Sequence, residues 1–332
     1  SKGEKILINR SFGTYTYNVN SKKVSNESIY DVASLTKVLS TTPVAMKLIQ
    51  RKMLSLDYYL SDFYDEFNTG NKKYITIRHL LTHTSGLPAY IEYYKREDIN
   101  SKDNIINDII NLDLLYKPDS KMVYSDLGMI LLSDIINKIS SSYLDQLSYN
   151  YYYKPLEMKH TFFNPSEKIK YDIVPTENDN YYRNRLIQGE VHDENAFLLG
   201  GVSGHAGLFS NATDIAKMSK LFLNRGVFKG RRYLKKNIVN LFTTKIRNPV
   251  ESDRALGWDT PSKDGKSSAG DSFSDGSYGH LGFTGTSLWI DPQKKIIIIF
   301  LTNRVHPTRD KKGIYKVRRD LHTSIMNNIL EY

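Results

Sequence analysis

Two runs near the C-terminus constrain the fold more than anything else in the chain. Ile296-Ile297-Ile298-Ile299-Phe300-Leu301 is an uninterrupted apolar run, and Thr286-Ser287-Leu288-Trp289-Ile290 precedes it across Asp291-Pro292-Gln293-Lys294. β-Branched and aromatic residues favour extended chain, and Asp-Pro between two such runs marks a turn, so the pair reads as a β-hairpin with a buried strand. At the other end, Lys5-Ile6-Leu7-Ile8-Asn9 and Gly13-Thr14-Tyr15-Thr16-Tyr17 alternate and read as a second hairpin. Between them the apolar spacing turns helical: Val38, Leu39, Val44, Ala45, Leu48 and Ile49, then Ile75 to Leu81, Asn104 to Leu115 and Leu127 to Ile139. Pro43 should kink or break the first of these. Asp214 to Leu223 reads as a helix capped by Thr213. The last helix carries Ile314, Val317, Leu321, Ile325 and Ile329 as one stripe suited to lie against a sheet.

Strands at both ends and helices in the middle predict an α+β architecture. The terminal strands pair in one antiparallel sheet, flanked by the first and last helices, and a mainly helical lobe is inserted. The expected division is 1–60 plus 196–332 for the sheet lobe and 61–195 for the helical lobe, in one continuous catalytic unit. A site is expected in the cleft between them.

With 332 residues the chain can bury a substantial core. It has no cysteine, hence no disulfide, thiolate nucleophile or thiolate metal site. Lys plus Arg outnumber Asp plus Glu by 46 to 36, giving a net charge of +10. The lysines are dispersed and no nucleic-acid signature accompanies them, so nucleic acid is not expected as a partner. No apolar run is long enough to span a membrane. The glycines lack nucleotide-loop order. The chain opens at Ser1 with no charged-then-apolar leader, so any signal peptide is expected to have been removed or to lie outside this sequence.

The chemistry begins at Ser34-Leu35-Thr36-Lys37, where the first helical pattern starts. Residues i and i+3 share a helix face, which brings the Lys37 amine within reach of the Ser34 hydroxyl. A serine needs a neighbouring base to become a nucleophile. A lysine serves only with a lowered pKa, and burial, a helix N-terminus or a second cation would lower it. Tyr124-Ser125-Asp126 stands just before the Leu127 helix, and His280-Leu281-Gly282 leads into the late strands.

Ser-x-x-Lys, Tyr-x-Asp and a polar-x-Gly strand, in that order, resemble the penicillin-recognising serine hydrolases: class C β-lactamases, D,D-peptidases, D-aminopeptidases and related esterases. The resemblance spans essentially the whole chain and includes Ile75-Thr76-Ile77-Arg78-His79-Leu80-Leu81-Thr82-His83-Thr84-Ser85-Gly86-Leu87 and Leu301-Thr302-Asn303-Arg304. Val191-His192-Asp193-Glu194-Asn195-Ala196, the Gly200 to Ser210 loop and Asn303-Arg304-Val305-His306-Pro307 look like a β-lactamase-related branch sometimes fused behind a β-N-acetylglucosaminidase domain. The family usually has a helix before its first strand and this chain starts almost at the strand, which fits a fragment of a longer polypeptide.

The resemblance implies a serine β-lactamase-like fold and no metal or cofactor. Ser34 would form an acyl-enzyme, Lys37 would take or relay its proton, and Tyr124, with a phenol depressed by Lys37, would be the base or shuttle. Backbone N–H groups of Ser34 and Phe283 would form the oxyanion hole, with Gly282 letting substrate approach the edge strand. His280 and Asp126 depart from the usual lysine and asparagine. A mostly neutral histidine anchors a carboxylate weakly, and a carboxylate only accepts hydrogen bonds, so Asp126 would pair with Lys37 or a cationic substrate group. The alternative register Phe283-Thr284-Gly285 offers substrate no polar group. His192, Arg304 and His306 are rim candidates, although His192-Asp193-Glu194 and His205 read first as loop-stabilising.

The expected function is a serine hydrolase acting on small esters, amides or D-amino-acid peptides of cell-wall type, placed by resemblance in the periplasm or otherwise outside the cytoplasm. The partners implied are a small-molecule or peptide substrate and a fused or associated glycosidase domain. The rivals are a true β-lactamase or D,D-carboxypeptidase, and a catalytically silent peptidoglycan-binding module.

Overall fold

Helices crowd the middle of the chain and strands its later part. The computed structural model describes residues 1–247, 252–262 and 267–329. In chain order the first elements are β1 (Tyr30–Asp31), α1 (Thr42–Gln50), α2 (Ile77–Thr82), α3 (Lys102–Asn111), α4 (Asp126–Ser140), α5 (Leu144–Ser148) and β2 (Phe162–Phe163). Next come β3 (Asn178–Asp179), β4 (Arg185–Leu186), α6 (Glu194–Leu198), β5 (Leu208–Ser210), α7 (Ala212–Leu223), β6 (Val227–Phe228), β7 (Arg231–Arg232) and α8 (Lys236–Thr243). The late hairpin forms β9 (Ser287–Asp291) and β10 (Ile296–Phe300), preceded by β8 (Tyr278–Leu281) and followed by α9 (Ile314–Asn328).

The three late strands pair antiparallel in the order β10-β9-β8, with Ile298 opposite Trp289 and His280 opposite Leu288. Asp291 shapes the hairpin turn by accepting the N–H groups of Gln293 and Lys294 at 3.0 and 2.9 Å. Successive side chains of a strand point to opposite faces. Accordingly Ile297 joins the main core, while Ile296 and Ile298 join a smaller cluster with Met326 of α9. A second sheet, β1-β5-β2, stands at the foot of the Ser34 turn. The main core runs without a break from Val32 through α1, α2, α4 and α7 to Ile297. Among the described residues no helix is long and apolar enough to cross a membrane.

Several expectations are corrected. The hairpin over Lys5–Asn9 and Gly13–Tyr17 does not form; isolated bridges Lys2↔Lys5 and Thr14↔Lys23 stand in its place, and Ile8 is 64% exposed. The alternation there has no sheet face to bury itself on. The chain start does border the late sheet, through residues 1–3: Ser1 donates to the Ile297 carbonyl at 2.7 Å and accepts the Ile297 N–H at 2.9 Å. Pro43 sits in the first turn of α1, and the break falls before it as a π-helical turn at Lys37–Thr41. Helix α7 is capped by Asn211, whose side chain accepts the Asp214 N–H at 2.9 Å, rather than by Thr213.

The face of α9 is the most informative correction. Its buried residues are Ile314, Arg318, His322 and Met326, spaced by one helical turn, while Val317 is 49% exposed. The helix is rotated off its most apolar stripe, so a guanidinium and an imidazole face the sheet.

Candidate active site

The Asp31 carboxylate at the end of β1 shapes the turn that carries Ser34. It accepts the Ala33 N–H and the His192 N–H, each at 2.7 Å. Burial pushes the Asp31 pKa up against these hydrogen bonds. Ala33 is held at φ 48°, the left-handed region, which costs about 1–2 kcal/mol for a residue with a Cβ. This bend takes the chain from strand into a single helical turn, Ala33–Leu35, and leaves Ser34 partly exposed at the junction. From the far side, Thr284 Oγ1 donates to the Asp31 carbonyl at 2.8 Å and Thr286 Oγ1 to the Val32 carbonyl at 3.0 Å. The β8–β9 loop and the Ser34 turn are thereby one unit.

Lys37 is fully buried. Its Nζ donates to Ser34 Oγ at 3.0 Å and to the His205 carbonyl at 3.0 Å, and pairs with Asp126 Oδ1 at 2.8 Å. Three acceptors around one nitrogen suit an ammonium, which has three donors and no lone pair. The expected lowering of the Lys37 pKa is therefore overturned in the resting site. Burial, the largest influence, does act downward, but the Asp126 carboxylate and the Tyr124 phenol outweigh it and the net shift is upward.

Tyr124 lies beside this pair, with its hydroxyl in hydrogen-bonding reach of Lys37 and Ser34. The depressed phenol is also corrected: burial raises the Tyr124 pKa, and Lys37 only opposes that rise. The Tyr124-Ser125-Asp126 segment is held from behind. His83, a left-handed cap at the end of α2, accepts the Ser125 N–H on Nδ1 at 3.1 Å and packs its ring 4.7 Å from that of Tyr124. Ser125 caps α4 by accepting the Gly128 N–H at 3.3 Å. Arg254 covers the Tyr124 ring at 4.9 Å.

His280, on β8, has its ring 5.8 Å from Tyr124, so the third motif does meet the other two. Its Nδ1 bonds to the Leu281 carbonyl at 2.7 Å, and burial pushes its pKa down to about 4. It is neutral near pH 7 and brings no charge to a substrate carboxylate. Gly282 leaves no room for a side chain: a Cβ would stand 2.0 Å from Thr286 Oγ1 and 2.4 Å from the Val32 carbonyl. Phe283 is 48% exposed beyond the strand. Among the described residues, neither the Ser34 N–H nor the Phe283 N–H donates to a protein acceptor.

The rim candidates separate. His192 stacks on Phe283 at 5.6 Å and bonds Glu177 through Nε2 at 2.9 Å, so it braces the site loop from beneath. Arg304 lies 4.5 Å over the Phe283 ring and donates from Nε to the Phe283 carbonyl at 2.9 Å. His306 turns away, with Nδ1 on the Thr176 carbonyl at 3.1 Å and its ring against Tyr17. Sequence reasoning missed Asp31, Thr286, Arg254 and Arg318, and met Thr284 only in the alternative register. Of these, only Thr284 and Thr286, polar residues inside the motif-bearing stretch, carried a readable signal.

Comparison with known proteins places the chain in a family. The β-lactamase family model matches residues 1–323, and the chain belongs to that family. It is a hydrolase of the serine β-lactamase and penicillin-binding-protein type. It is 34% identical over 309 residues to an N-acetylmuramyl-L-alanine amidase of Bacillus subtilis (strain 168), covering 86% of this chain and 70% of the relative. It is 33% identical over 312 residues to an Escherichia coli (strain K12) protein provisionally named as a D-alanyl-D-alanine carboxypeptidase, covering 86% and 71%. In fold it resembles a penicillin-binding protein from Bacillus halodurans, with TM-score 0.72 at 18% identity over 97% of this chain and 93% of that one. Simvastatin synthase from Aspergillus terreus superposes with TM-score 0.74 at 18% identity, over 97% and 91%.

Proposed function

We propose that Ser34 Oγ attacks the carbonyl of an ester or amide, expels the alcohol or amine, and is released from the resulting acyl-enzyme by water. The observation that carries this is the 3.0 Å contact between Ser34 Oγ and a desolvated Lys37 Nζ, with the Tyr124 hydroxyl alongside. In the resting site both neighbours hold their protons. The reactive form arises when Tyr124 or Lys37 gives one up, after which the deprotonated group takes the Ser34 proton and delivers it to the leaving group. Where Tyr124 is the group that gives up its proton, the Asp126 carboxylate keeps Lys37 charged beside it. The unengaged N–H groups of Ser34 and Phe283 suit the developing oxyanion.

The substrate class we favour is an amide of cell-wall type, a muramyl-amide or a D-amino-acid peptide, because the relatives' names converge on such bonds. Action outside the cytoplasm follows from that substrate. Penicillin hydrolysis is disfavoured by the neutral His280. Arg304 supports the carboxypeptidase reading: it faces Phe283, and its bonds run to the carbonyls of Phe283, Arg309 and Lys311 rather than to a carboxylate. The lobe division at 60/61 and 195/196 sets Ser34 and His280 on one side of a cleft and Tyr124 on the other. A glycosidase partner rests on the branch resemblance alone.

Turnover by wild type and Ser34→Ala of p-nitrophenyl esters, D-alanyl peptides, an N-acetylmuramyl-L-alanine substrate and nitrocefin tests the proposal. Turnover that vanishes in Ser34→Ala supports it, and the preferred substrate sorts the classes. No turnover by wild type, with peptidoglycan fragments bound equally by both proteins, would replace it with a silent binding module.

A further inference from the structure

We infer that Arg318 is a positioning residue for the oxyanion site: its guanidinium polarises the Gly282–Phe283 peptide and so strengthens the Phe283 N–H as a donor to the tetrahedral intermediate. This rests on the acyl-Ser34 reading above. Arg318 lies on the sheet-facing side of α9, and the residue is 4% exposed. Its Nη2 donates to the Gly282 carbonyl at 2.5 Å and to the Thr286 carbonyl at 2.7 Å. Among the described residues it makes no ion pair with a carboxylate, and its Nε has no hydrogen-bond partner. A buried guanidinium without a counter-ion is costly, and an apolar side chain would suit this helix face without that cost. The protein breaks its own helix pattern here, and the break falls on the two carbonyls that close the β8–β9 loop, one of them that of the Gly282–Phe283 peptide.

That peptide is the one whose N–H would face the substrate. The Gly282 carbonyl and the Phe283 N–H belong to a single planar amide and point in opposite directions. The Gly282 N–H donates to the Thr286 carbonyl at 2.7 Å and the Gly282 carbonyl accepts the Gly285 N–H at 3.1 Å, so both turn into the β8–β9 loop. The Phe283 N–H therefore points out of that loop, where the proposed oxyanion would sit. A cation on the carbonyl oxygen draws electron density from the amide nitrogen, and coupled hydrogen bonds strengthen one another by roughly 10–30% each. The Thr286 carbonyl takes both the Gly282 N–H and Arg318, which fixes the loop as well as polarising it. Burial lowers the Arg318 pKa to about 10, which leaves it charged at neutral pH.

The test compares wild type, Arg318→Lys and Arg318→Met, each checked for folding by thermal melting. The probe is a p-nitrophenyl ester with an isotope-labelled carbonyl, and the readouts are kcat, KM and the infrared carbonyl stretch of the acyl-enzyme. Loss of a whole oxyanion donor costs about 10²–10³ in kcat, so weakening one should cost about 10-fold in Arg318→Met, with KM within about twofold. The acyl carbonyl band should move to higher wavenumber in Arg318→Met and lie between the two in Arg318→Lys. A folded Arg318→Met with an unmoved band overturns the inference, whatever its kcat. If Arg318→Met does not fold, the band in Arg318→Lys decides in the same way. Acyl-enzyme on Ser34 with an identical band in all three proteins sinks only the role of Arg318. No acyl-enzyme in wild type sinks the hydrolase reading and this inference together.

Discussion

Two buried cations flank Ser34 and are housed in opposite ways. Lys37 sits on the α4 side, donating to Ser34 and the His205 carbonyl and ion-paired with the Asp126 carboxylate. Arg318 sits on the β8 side, bound to carbonyls alone. The paired cation belongs to a group whose proton count can change, because Asp126 and Tyr124 share the site with it. The unpaired one is fixed, and acts on backbone it touches but never on the proton. Under the proposed mechanism, one side of Ser34 handles protons and the other developing negative charge.

Lys37→Met should break the proton side hardest. Turnover is expected to fall about 10³-fold. Stability should fall too, by about 3 kcal/mol in denaturant unfolding, because Asp126 is left largely buried without its partner. Tyr124→Phe should cost about 10²-fold in kcat with an unchanged melting temperature, since the ring still packs against His83. An equal loss of stability would make Tyr124 a packing residue instead.

Asp126→Asn sharpens the contrast through pH. The carboxylate raises the Lys37 pKa, so its removal should lower it and move the alkaline rise of kcat/KM to lower pH. An unmoved profile would show that Lys37 does not titrate in the working cycle. The smallest effect on turnover belongs to the β8–α9 side, where the readout is stability. Burial pushes His280 and His322 from an ordinary 6.5 to about 4, so the fold favours their neutral forms. The unfolded chain takes up protons first, and stability that is complete above about pH 6.5 is lost as pH falls toward 4, by up to about 3 kcal/mol per group. His322→Gln should flatten part of that acid slope in melting curves while leaving the alkaline limb of activity in place.

Much of this organisation was legible in the sequence, and the failures have physical causes. The late hairpin, the α4 start at the Tyr124 motif and the order of Ser34, Tyr124 and His280 could be read because strand propensity, capping and motif spacing are local. The proton states could not. Pairing of Asp126 with Lys37 was one of two readings the sequence left open, and only the 2.8 Å contact inside a buried site decides that the Lys37 pKa moves up rather than down. Arg318 was hidden for a different reason. Its helix has a more apolar stripe one position away, and the rotation that exposes Val317 brings Arg318 to the Gly282 and Thr286 carbonyls and His322 to Ser287 and the Ser268 carbonyl. Lys5–Asn9 failed in the reverse sense: a good strand pattern has no partner there, and residues 1–3 take the sheet edge instead.

The most direct measurement is peptide-mapped mass spectrometry of the protein after reaction with a fluorophosphonate. A single adduct on Ser34, formed more slowly by Tyr124→Phe and not at all by Ser34→Ala, is the predicted result. An adduct on another residue, or equal labelling of Ser34→Ala, would contradict a nucleophile set between Lys37 and the Phe283 amide.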